Sequence, residues 1–193
     1  MPKNEITRCI WPGNDPLYIK YHDEEWGVPL HDEQKFLEFI ILEGAQAGLS
    51  WITVLRKREN YKKAFMDYDP HAIAAFGDEE IARLLLNDGL IRNKLKMNSA
   101  VKNAKAFIKI QEEFGSFDAY FWRFTDGRPI INHFTADSSM PAETPLSQLI
   151  SKDMKKRGFT FMGPTICYAF LQTVGMVNDH ITACFRHKEI TEM

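Results

Sequence analysis

Apolar residues recur at helical spacing over much of the chain, most clearly in the segment that follows Asp32. There Phe36, Phe39 and Ile40 lie on one face together with Glu43, and the residues between them are also largely apolar. Asp32 stands where a helix N-cap is expected, because its side chain can accept hydrogen bonds from free backbone N–H groups. The pattern predicts a buried helix that begins after Asp32 and carries a carboxylate on its apolar face.

Glycine and proline divide the rest of the chain into further predicted helices. These helices cover residues 50–66, 78–86, 93–114, 145–157 and 164–175. Pro164 suits the first turn of the last one. Alternation with a period of two is scarce, and residues 125–145 are rich in Thr, Asp, Ser and Pro, as in a surface loop. We therefore expect an all-α fold in which residues 1–193 form a single unit, with two helical lobes around a cleft as a variant.

Composition supports a globular protein and argues against a membrane protein. The chain has 193 residues, of which 45% are hydrophobic and 26% are charged, enough for a buried core. Its first residues, MPKNEITRC, lack the apolar core of a signal peptide, and no run approaches the roughly 20 apolar residues that span a bilayer. The sequence thus predicts a cytoplasmic protein with no membrane partner.

The overall charge conceals three basic segments. A net charge of -2 and a pI near 6.3 would by themselves argue against a nucleic-acid partner. Basic residues are nevertheless concentrated at Arg56, Lys57, Arg58, Lys62 and Lys63, at Arg92, Lys94 and Lys96, and at Lys152, Lys155, Lys156 and Arg157. Each segment is explained equally well as a phosphate-binding surface or as the solvated face of a helix.

Two of the three cysteines have histidines at ligand spacing. His180 and Cys184 are four residues apart, which on a helical turn would place them on one face, and Cys9 and His22 supply a second pair. Together they would form a closed Cys2His2 site for one structural zinc ion that joins the two ends of the chain. The alternative is a free surface thiol and ordinary polar histidines. Cys167 lies in an apolar helix and is expected to be a small buried side chain.

Aromatic residues are dense in the sequence around Glu43. A buried carboxylate needs either a protein donor or a ligand that carries donors or positive charge. Beside stacked aromatic rings it would form a pocket for a flat cation. The alternative is an ordinary aromatic core in which a nearby arginine neutralises Glu43. The aromatic residues concerned are Trp11, Tyr18, Tyr21, Trp26 and Trp51.

Three long segments give the chain a family resemblance. DPLYIKYHDEEWGVP at 15–29, LEGAQAGLSWITVLRKRENYKKAF at 42–65 and KKRGFTFMGPTICYAFLQTVGMVNDH at 155–180 closely resemble the 3-methyladenine DNA glycosylase I family. The similarity runs from about residue 8 to residue 184 and includes Cys9 and Cys184. It implies a helix-hairpin-helix scaffold, with the hairpin elements at about 146–176. It also implies an enzyme that hydrolyses the bond between an alkylated adenine and its sugar.

The resemblance also implies roles for individual residues. Glu43 would accept hydrogen bonds from the adenine edge and act in catalysis, between walls formed by Trp11, Tyr18, Tyr21 and Trp51, with Trp26 nearby. Cys9, His22, His180 and Cys184 would bind zinc. The DNA would meet Lys155, Lys156, Arg157, Gly158 and Gly163 at the hairpin. Gln46, Gly48 and Leu49 would also contact the DNA. Gln46 and Leu49 would fill the vacated space in the duplex, although both can equally serve in packing.

The implied enzyme is a monofunctional glycosylase that leaves an abasic site. Its partner would be double-stranded DNA containing alkylated bases, and we expect a monomer. Since a methyl group on N3 makes adenine a good leaving group, little general-acid catalysis is needed, and Asp179 is interpreted as structural rather than catalytic. A competing hypothesis is a non-catalytic helix-hairpin-helix module that binds damaged DNA. A zinc hydrolase of small molecules is disfavoured, because four protein ligands leave no open metal position.

Overall fold

Helices make up most of the structure, a computed structural model that describes residues 6–193. Residues 1–5, which begin the segment MPKNEITRC, lie outside the described residues. In chain order the helices are α1 (Pro16–Glu24), α2 (Glu33–Gln46), α3 (Trp51–Leu55), α4 (Arg58–Ala64), α5 (Pro70–Ala74), α6 (Asp78–Leu86), α7 (Lys94–Phe114), α8 (Phe117–Trp122), α9 (Pro145–Lys156), α10 (Pro164–Thr173) and α11 (Phe185–Thr191). The predicted all-α fold is therefore confirmed.

Helix α2 runs through the centre of the protein. It packs against α7 on one side and against α10 on the other, and its residues from Phe36 to Ala45 are all buried. Next to it lies a cluster of phenylalanine rings, in which Phe107 and Phe117 stack with centroids 4.5 Å apart. Because α2 is enclosed nearly all round, a polar side chain on it must find a partner inside the protein.

Capping groups define where the helices begin and end. Asp32 accepts a hydrogen bond from the backbone N–H of Lys35 at 2.9 Å, so the predicted N-cap of α2 is confirmed. Pro164 occupies the first turn of α10, also as predicted. Gly115 ends α7 with a φ of 85°, a left-handed conformation that glycine adopts without strain. These local signals made the long helices recognisable from the sequence.

The connection between α9 and α10 is a tight hairpin that is held by side chains of the protein core. Gly158 follows α9 with a φ of 100°, and Phe159 and Met162 turn inward into the core. The backbone N–H and C=O of Thr160 both bond to the side chain of Asn103, and Ser151 Oγ donates to the carbonyl of Met162 at 2.6 Å. This packing holds the hairpin in one conformation.

A two-residue parallel pairing ties the loop region to the C-terminal part of the chain. Strand β1 (Ile130–Ile131) pairs with β2 (Val177–Asn178), with Ile130 opposite Val177. The segment 125–145, predicted to be a surface loop, is irregular apart from this strand, the 3-10 turn Asp137–Ser139 and its two end residues. No helix within residues 6–193 is long and apolar enough to cross a membrane.

The structure corrects several predicted helix boundaries. The predicted helix 50–66 is divided into α3 and α4, with Arg56 and Lys57 between them. Helices α1, α5, α8 and α11 were not predicted, because none exceeds nine residues and each mixes polar and apolar positions. His180 and Cys184 lie in a non-helical turn before α11 and not on a helix.

Candidate functional site

A cavity of about 200 Å³ opens between α1, α2 and α10, and we call it the aromatic cavity. Its walls contain the five aromatic residues and the carboxylate that the sequence suggested, together with Gln46. Four further residues of the wall were not anticipated, namely Met140, Ala169, Gln172 and Thr173. The full lining is Trp11, Tyr18, Tyr21, Trp26, Glu43, Gln46, Trp51, Met140, Ala169, Gln172 and Thr173.

Glu43 is the only acidic residue in that lining, and it is 2% exposed. Thr173 Oγ1 donates a hydrogen bond to its Oε1 at 2.9 Å, whereas its Oε2 is buried without a partner among the described residues. Tyr21 OH lies 2.9 Å from Thr173 Oγ1. Since the single hydroxyl hydrogen of Thr173 goes to Glu43, Tyr21 donates to Thr173, and a relay of hydroxyl groups supports one side of the carboxylate.

Burial dominates the protonation of Glu43. Desolvation raises the pKa of this carboxyl to about 8, and the hydrogen bond from Thr173 opposes that rise. The carboxylate also contributes to raising the pKa of Tyr21, after burial of the phenol itself. A positively charged ligand in the cavity would favour the ionised form of Glu43, so the site is suited to a cation.

The aromatic side chains are arranged edge to face around the cavity. The ring of Trp11 lies 4.8 Å from that of Tyr18 and 5.0 Å from that of Trp26, and Tyr21 lies 5.5 Å from Trp51. The indole Nε1 atoms of Trp11 and Trp51 are buried without hydrogen-bond partners within residues 6–193. The walls therefore offer flat apolar faces and unsatisfied donors, which a heteroaromatic ring can use.

The structure does not pair Glu43 with an arginine, the alternative that the sequence left open. Of the two arginines nearest in sequence, Arg56 donates to Asp15 Oδ2. Arg58 donates to Glu38 Oε1 at 2.7 Å and to Glu25 Oε1 at 2.7 Å. Its guanidinium also lies over the ring of Phe39. Arg58 is thus committed to two other carboxylates on the far side of α2.

The four predicted metal ligands gather into one buried cluster, which we call the metal centre. The ligand atoms of Cys9, His22, His180 and Cys184 all lie within 4.8 Å of one another. His180 Nδ1 is 3.6 Å from Cys9 Sγ and 3.5 Å from Cys184 Sγ, and His22 Nε2 is 3.6 Å from Cys184 Sγ. A tetrahedral zinc ion with ordinary bond lengths separates sulfur and nitrogen ligands by about 3.6 Å. The group can therefore hold a metal ion.

The second nitrogen of each histidine is also engaged. His22 Nδ1 lies 2.8 Å from Asp23 Oδ1, and His180 Nε2 lies 2.9 Å from the carbonyl oxygen of Trp26. Such partners orient an imidazole and direct its other nitrogen towards a metal. The two thiols share one proton through their hydrogen bond, which together with His180 and His22 lowers the pKa of Cys184 and raises that of Cys9. The thiolate of Cys184 is the form that binds metals. Cys167 is buried elsewhere, as expected.

Trp26 connects the metal centre with the aromatic cavity. Its carbonyl oxygen accepts from His180, while its ring lies 4.6 Å from the imidazole of His180 and also lines the cavity. Trp11 lies 5.3 Å from the ring of His22 on the same boundary. Trp11 and Trp26 thus lie against both the metal centre and the cavity.

A groove of about 740 Å³ runs along the hairpin between α9 and α10, and we call it the hairpin groove. Gly158 and Gly163 both line it, and a Cβ atom added at either would meet nothing within 4 Å. Lys155 also lines the groove, and both Lys155 and Lys156 are exposed. The backbone of the hairpin and two lysines are therefore accessible to a ligand outside the protein.

Arg157 is placed differently from its two lysine neighbours. Its guanidinium donates to Asp153 Oδ2 at 2.8 Å and to Glu113 Oε2 at 2.6 Å, and it lies over the rings of Phe114 and Tyr120. Hydrogen bonds and charge from the two carboxylates raise the pKa of Arg157. Its positive charge is compensated within the protein, which argues against the predicted role in phosphate binding.

Residues 46–49 form an exposed turn beside the aromatic cavity. Gln46 lines the cavity, Gly48 has a φ of 79°, and the side chain of Leu49 is 42% exposed. Lys96, which the sequence placed in a basic segment, donates to the carbonyl oxygens of Ala45 and Ala47 at 2.8 and 2.7 Å. Lys96 therefore caps α2 and holds this turn in place.

Asp179 is fully buried next to the cavity but is not part of its lining. Its carboxylate accepts hydrogen bonds from Asn132 Nδ2 at 2.6 Å, Tyr168 OH at 2.5 Å and Gln172 Nε2 at 2.8 Å. Three side-chain donors thus satisfy this buried carboxyl group, as expected for a residue with a structural role.

Gln172 and Thr173 were missed because they lie on a helix that was interpreted only as apolar. Two adjacent polar residues within the run ICYAFLQTVG are a usable signal, since polar side chains in a buried helix need partners. Met140 and Ala169 carry no comparable signal. Met140 comes from the irregular segment, and nothing in the sequence places it near α10.

Comparison with known proteins gives consistent matches. A sequence profile described as methyladenine glycosylase matches residues 11–187. The DNA-3-methyladenine glycosylase 1 of Escherichia coli is 47% identical over 179 residues, which cover 93% of this chain and 96% of that protein. The DNA-3-methyladenine glycosylase of Haemophilus influenzae is 48% identical over 178 residues, covering 92% of this chain and 96% of that protein.

Solved structures agree with the sequence matches. A crystal structure of 3-methyladenine DNA glycosylase I superimposes with a TM-score of 0.90 at 51% identity, covering 93% of this chain and 98% of that one. At this coverage, the likeness extends over nearly the whole chain.

Proposed function

The chain belongs to the methyladenine glycosylase family, and from this premise we propose that it hydrolyses the N-glycosidic bond of 3-methyladenine in DNA. The aromatic cavity would receive the alkylated base after it has been rotated out of the duplex. A monofunctional reaction would leave an abasic site and an intact strand, the first step of base excision repair. The observation that carries this proposal is the buried, unpartnered Oε2 of Glu43 inside an aromatic cavity.

The chemistry of the substrate explains why so few catalytic groups are needed. Methylation at N3 gives the adenine a positive charge and weakens its bond to the sugar before the enzyme acts. The ionised Glu43 would stabilise this cation and the departing base, while Trp11, Tyr18, Tyr21 and Trp51 stack around it. Water then attacks the sugar carbon as the base leaves. Extraction of the base costs a few kcal/mol because stacking is lost. This cost is smaller when the base pair is already damaged.

DNA would be held at the hairpin groove. Backbone N–H groups near Gly158 and Gly163 would meet phosphate oxygens, and Lys155 and Lys156 would neutralise them without reading sequence. We leave Arg157 out of this set because Glu113 and Asp153 already use its charge. Gln46 and Leu49, on the turn at the mouth of the cavity, would fill the space that the extracted base vacates, and Gly48 between them would belong to the same DNA-binding turn. We further propose that one chain acts alone as a single unit.

We also propose that the metal centre binds one zinc ion with a structural role. Two thiolates and two imidazoles form a complete tetrahedral donor set that suits zinc, and they leave no open position for a substrate. When bound, the ion would supply structural free energy by cross-linking the N-terminal segment to the region before α11. Asp23 and the Trp26 carbonyl hold the imidazoles in the orientation that this role requires.

Identification of the bases released from methylated DNA tests the reaction. The purified protein is incubated with DNA that contains 3-methyladenine and other methylated bases, and the released bases are separated and quantified. We expect 3-methyladenine to be released while the strands remain intact until the abasic sites are cleaved chemically. Release of no base, or strand cleavage by the protein itself, would contradict the proposed monofunctional glycosylase.

Glu43→Gln separates an enzyme from a binding module. In the glycosylase it should lower 3-methyladenine release by about 100-fold or more, since an oriented electrostatic group is lost, while fold and metal content are kept. If the protein only bound damaged DNA, wild type would release no base, and Glu43→Gln would bind the DNA with the same affinity as wild type. Tyr68→Phe is the matched control, because Tyr68 is buried but lies outside the cavity lining. Equal release by wild type and Glu43→Gln would remove Glu43 from the mechanism.

A further inference from the structure

Gln172 contributes an amide group to the lining of the aromatic cavity. A hydrogen bond to Asp179, which is not part of that lining, fixes the orientation of this amide. The residue lies near the C-terminal end of α10, next to Thr173, which bonds to Glu43. Its side-chain Nε2 donates to Asp179 Oδ2 at 2.8 Å, and Met140 Sδ lies 4.0 Å from the same nitrogen. The amide nitrogen is therefore directed towards buried groups of the protein.

The buried carboxylate of Asp179 determines this orientation. It is fully buried, and a buried carboxyl group needs hydrogen-bond partners, which here are three side-chain donors. Turning the amide of Gln172 around would bring its oxygen against Asp179 Oδ2 and would remove one of three hydrogen bonds. Tyr168 and Asn132 hold Asp179 from the other sides. The network thus leaves one favourable arrangement of the Gln172 amide.

The amide oxygen of Gln172 is consequently the group that is free. Oε1 accepts no hydrogen bond from the described residues, yet it is not among their buried atoms without partners, so it is open to solvent. Gln172 lines the aromatic cavity, as does Glu43, whose Oε2 also lacks a donor. Two residues of the cavity lining, Glu43 and Gln172, therefore each carry a side-chain oxygen that accepts no hydrogen bond from the described residues.

We propose that Gln172 is a specificity-determining residue whose Oε1 accepts a hydrogen bond from the exocyclic amine of the alkylated adenine. This inference rests on the proposed function and extends it to the choice between purines. The exocyclic amine is the one hydrogen-bond donor group on the edge of an N3-alkylated adenine. Guanine carries a carbonyl oxygen at the same ring position. That oxygen would face Gln172 Oε1 without a hydrogen between them, so N3-alkylated guanine is disfavoured.

The orienting network makes this discrimination effective. A neutral amide that could rotate would present its NH2 group to a guanine carbonyl and accept either base. Because Asp179 holds the NH2 group, rotation leaves a buried carboxylate oxygen with one donor fewer. A site with a fixed partner for a substrate N–H rejects an analogue that lacks it much more strongly than an apolar site does.

The test compares the release of two bases from the same methylated DNA. Wild type and Gln172→Leu are incubated in excess over DNA that contains both 3-methyladenine and 3-methylguanine, and the two first-order rate constants are measured. We expect Gln172→Leu to lower the ratio of the 3-methyladenine rate to the 3-methylguanine rate by about tenfold. Gln172→Met, which retains an unbranched side chain, provides a second measurement if the leucine variant does not fold.

Tyr68→Phe is the matched control. Tyr68 is buried but lies outside both the cavity lining and the hydrogen bonds of Asp179, so the ratio in this variant should equal that of wild type. An unchanged ratio in both Gln172 variants, an equal loss of both bases, or the same change in Tyr68→Phe would overturn the proposal. A wild-type protein that releases neither base would instead refute the proposed function.

Discussion

Thr173 Oγ1 donates a hydrogen bond to Glu43 Oε1 at 2.9 Å, and the other carboxylate oxygen of Glu43 is left buried without a partner within residues 6–193. One half of the carboxylate is thus supported by the protein and the other half is available to a ligand. Burial raises the pKa of the group to about 8, so its ionised form is disfavoured until a positive charge arrives. This imbalance gives the site a preference for a cationic ring over a neutral one.

We predict that base release depends on pH through Glu43. Values of kcat/KM report ionisation in the free enzyme, and the ionised carboxylate is required to pair with the cationic base. For 3-methyladenine, kcat/KM should therefore rise with pH through a midpoint near pH 8 and level off above it. In Thr173→Val the removal of a hydrogen bond that lowers the pKa should move the midpoint to a higher pH. The measurement is the rate of release with enzyme limiting, across this pH range.

Thr125→Val provides the control for that profile, since Thr125 lies outside the cavity lining and bonds to the backbone of Trp122. Its midpoint should coincide with that of wild type. A flat profile in the wild-type enzyme, or a Thr173→Val midpoint that does not move, would contradict the assignment of the ionisation to Glu43.

We predict that Glu43 destabilises the fold as pH rises. Its pKa is higher in the folded protein than in the unfolded chain, so the folded state loses relative stability between the two values, from about pH 4.5 to about pH 8. The side chain introduced by Glu43→Gln cannot ionise. The free energy of unfolding of this variant, relative to that of wild type, should therefore increase by on the order of 3 kcal/mol between these two pH values. Denaturant unfolding of both proteins at several pH values measures the difference. A difference that does not grow with pH would show that the carboxyl is not desolvated.

We predict that the metal centre contributes more to stability than to chemistry. Elemental analysis should give about one zinc ion per chain in wild type and little in Cys184→Ser. If the ion contributes about 2–3 kcal/mol, its loss should lower Tm by roughly 5–10 °C, while base release at low temperature falls much less. Cys167→Ala is the control, because this thiol is buried but lies outside the cluster. A wild type that is equally stable and carries no metal would contradict the proposed zinc site.

We predict that the hairpin lysines contribute to the salt dependence of DNA binding and that Arg157 does not. Lys155→Ala and Lys156→Ala each remove one charge that neutralises a phosphate, so each should reduce the slope of log K against log salt by about 0.9, without lowering Tm. Arg157→Ala should instead lower Tm and leave the slope unchanged, since it breaks ion pairs to Asp153 and Glu113. Fluorescence anisotropy over a series of salt concentrations measures the slopes.

Lys188→Ala, an exposed position on α11, is the control for the salt series. Its slope should match that of wild type. If Arg157→Ala reduced the slope as much as the lysine variants do, its ion pairs would have to open on binding, and its exclusion from the DNA-binding set would be wrong.

The long elements were predictable from the sequence because their signals are local. The N-cap at Asp32, the proline at the start of α10 and the apolar spacing of Phe36, Phe39 and Ile40 each act within a few residues. The short helices α5 and α8 were missed because fewer than two turns carry too little periodicity to be distinguished from a loop. Their helicity depends on packing against the rest of the protein.

The site was predictable only in part, for a similar reason. Glu43 and the aromatic residues form a compositional cluster near the start of the chain. The family resemblance added His180 and Cys184, which lie far from that cluster in the sequence. The hydrogen bond between Glu43 and Thr173 joins residues 130 positions apart, and no spacing rule predicts it. The ion pairs of Arg157 and the capping role of Lys96 likewise depend on residues brought close by the fold.

Trp26 lies between the metal centre and the aromatic cavity. Its backbone carbonyl accepts a hydrogen bond from His180, and its indole lines the cavity that would receive the base. By thermodynamic linkage, any increase in base affinity caused by a bound ion would equal the increase in ion affinity caused by a bound base. The equilibrium affinity for the metal, measured with and without the base, would then report the same coupling free energy as the affinity for the base.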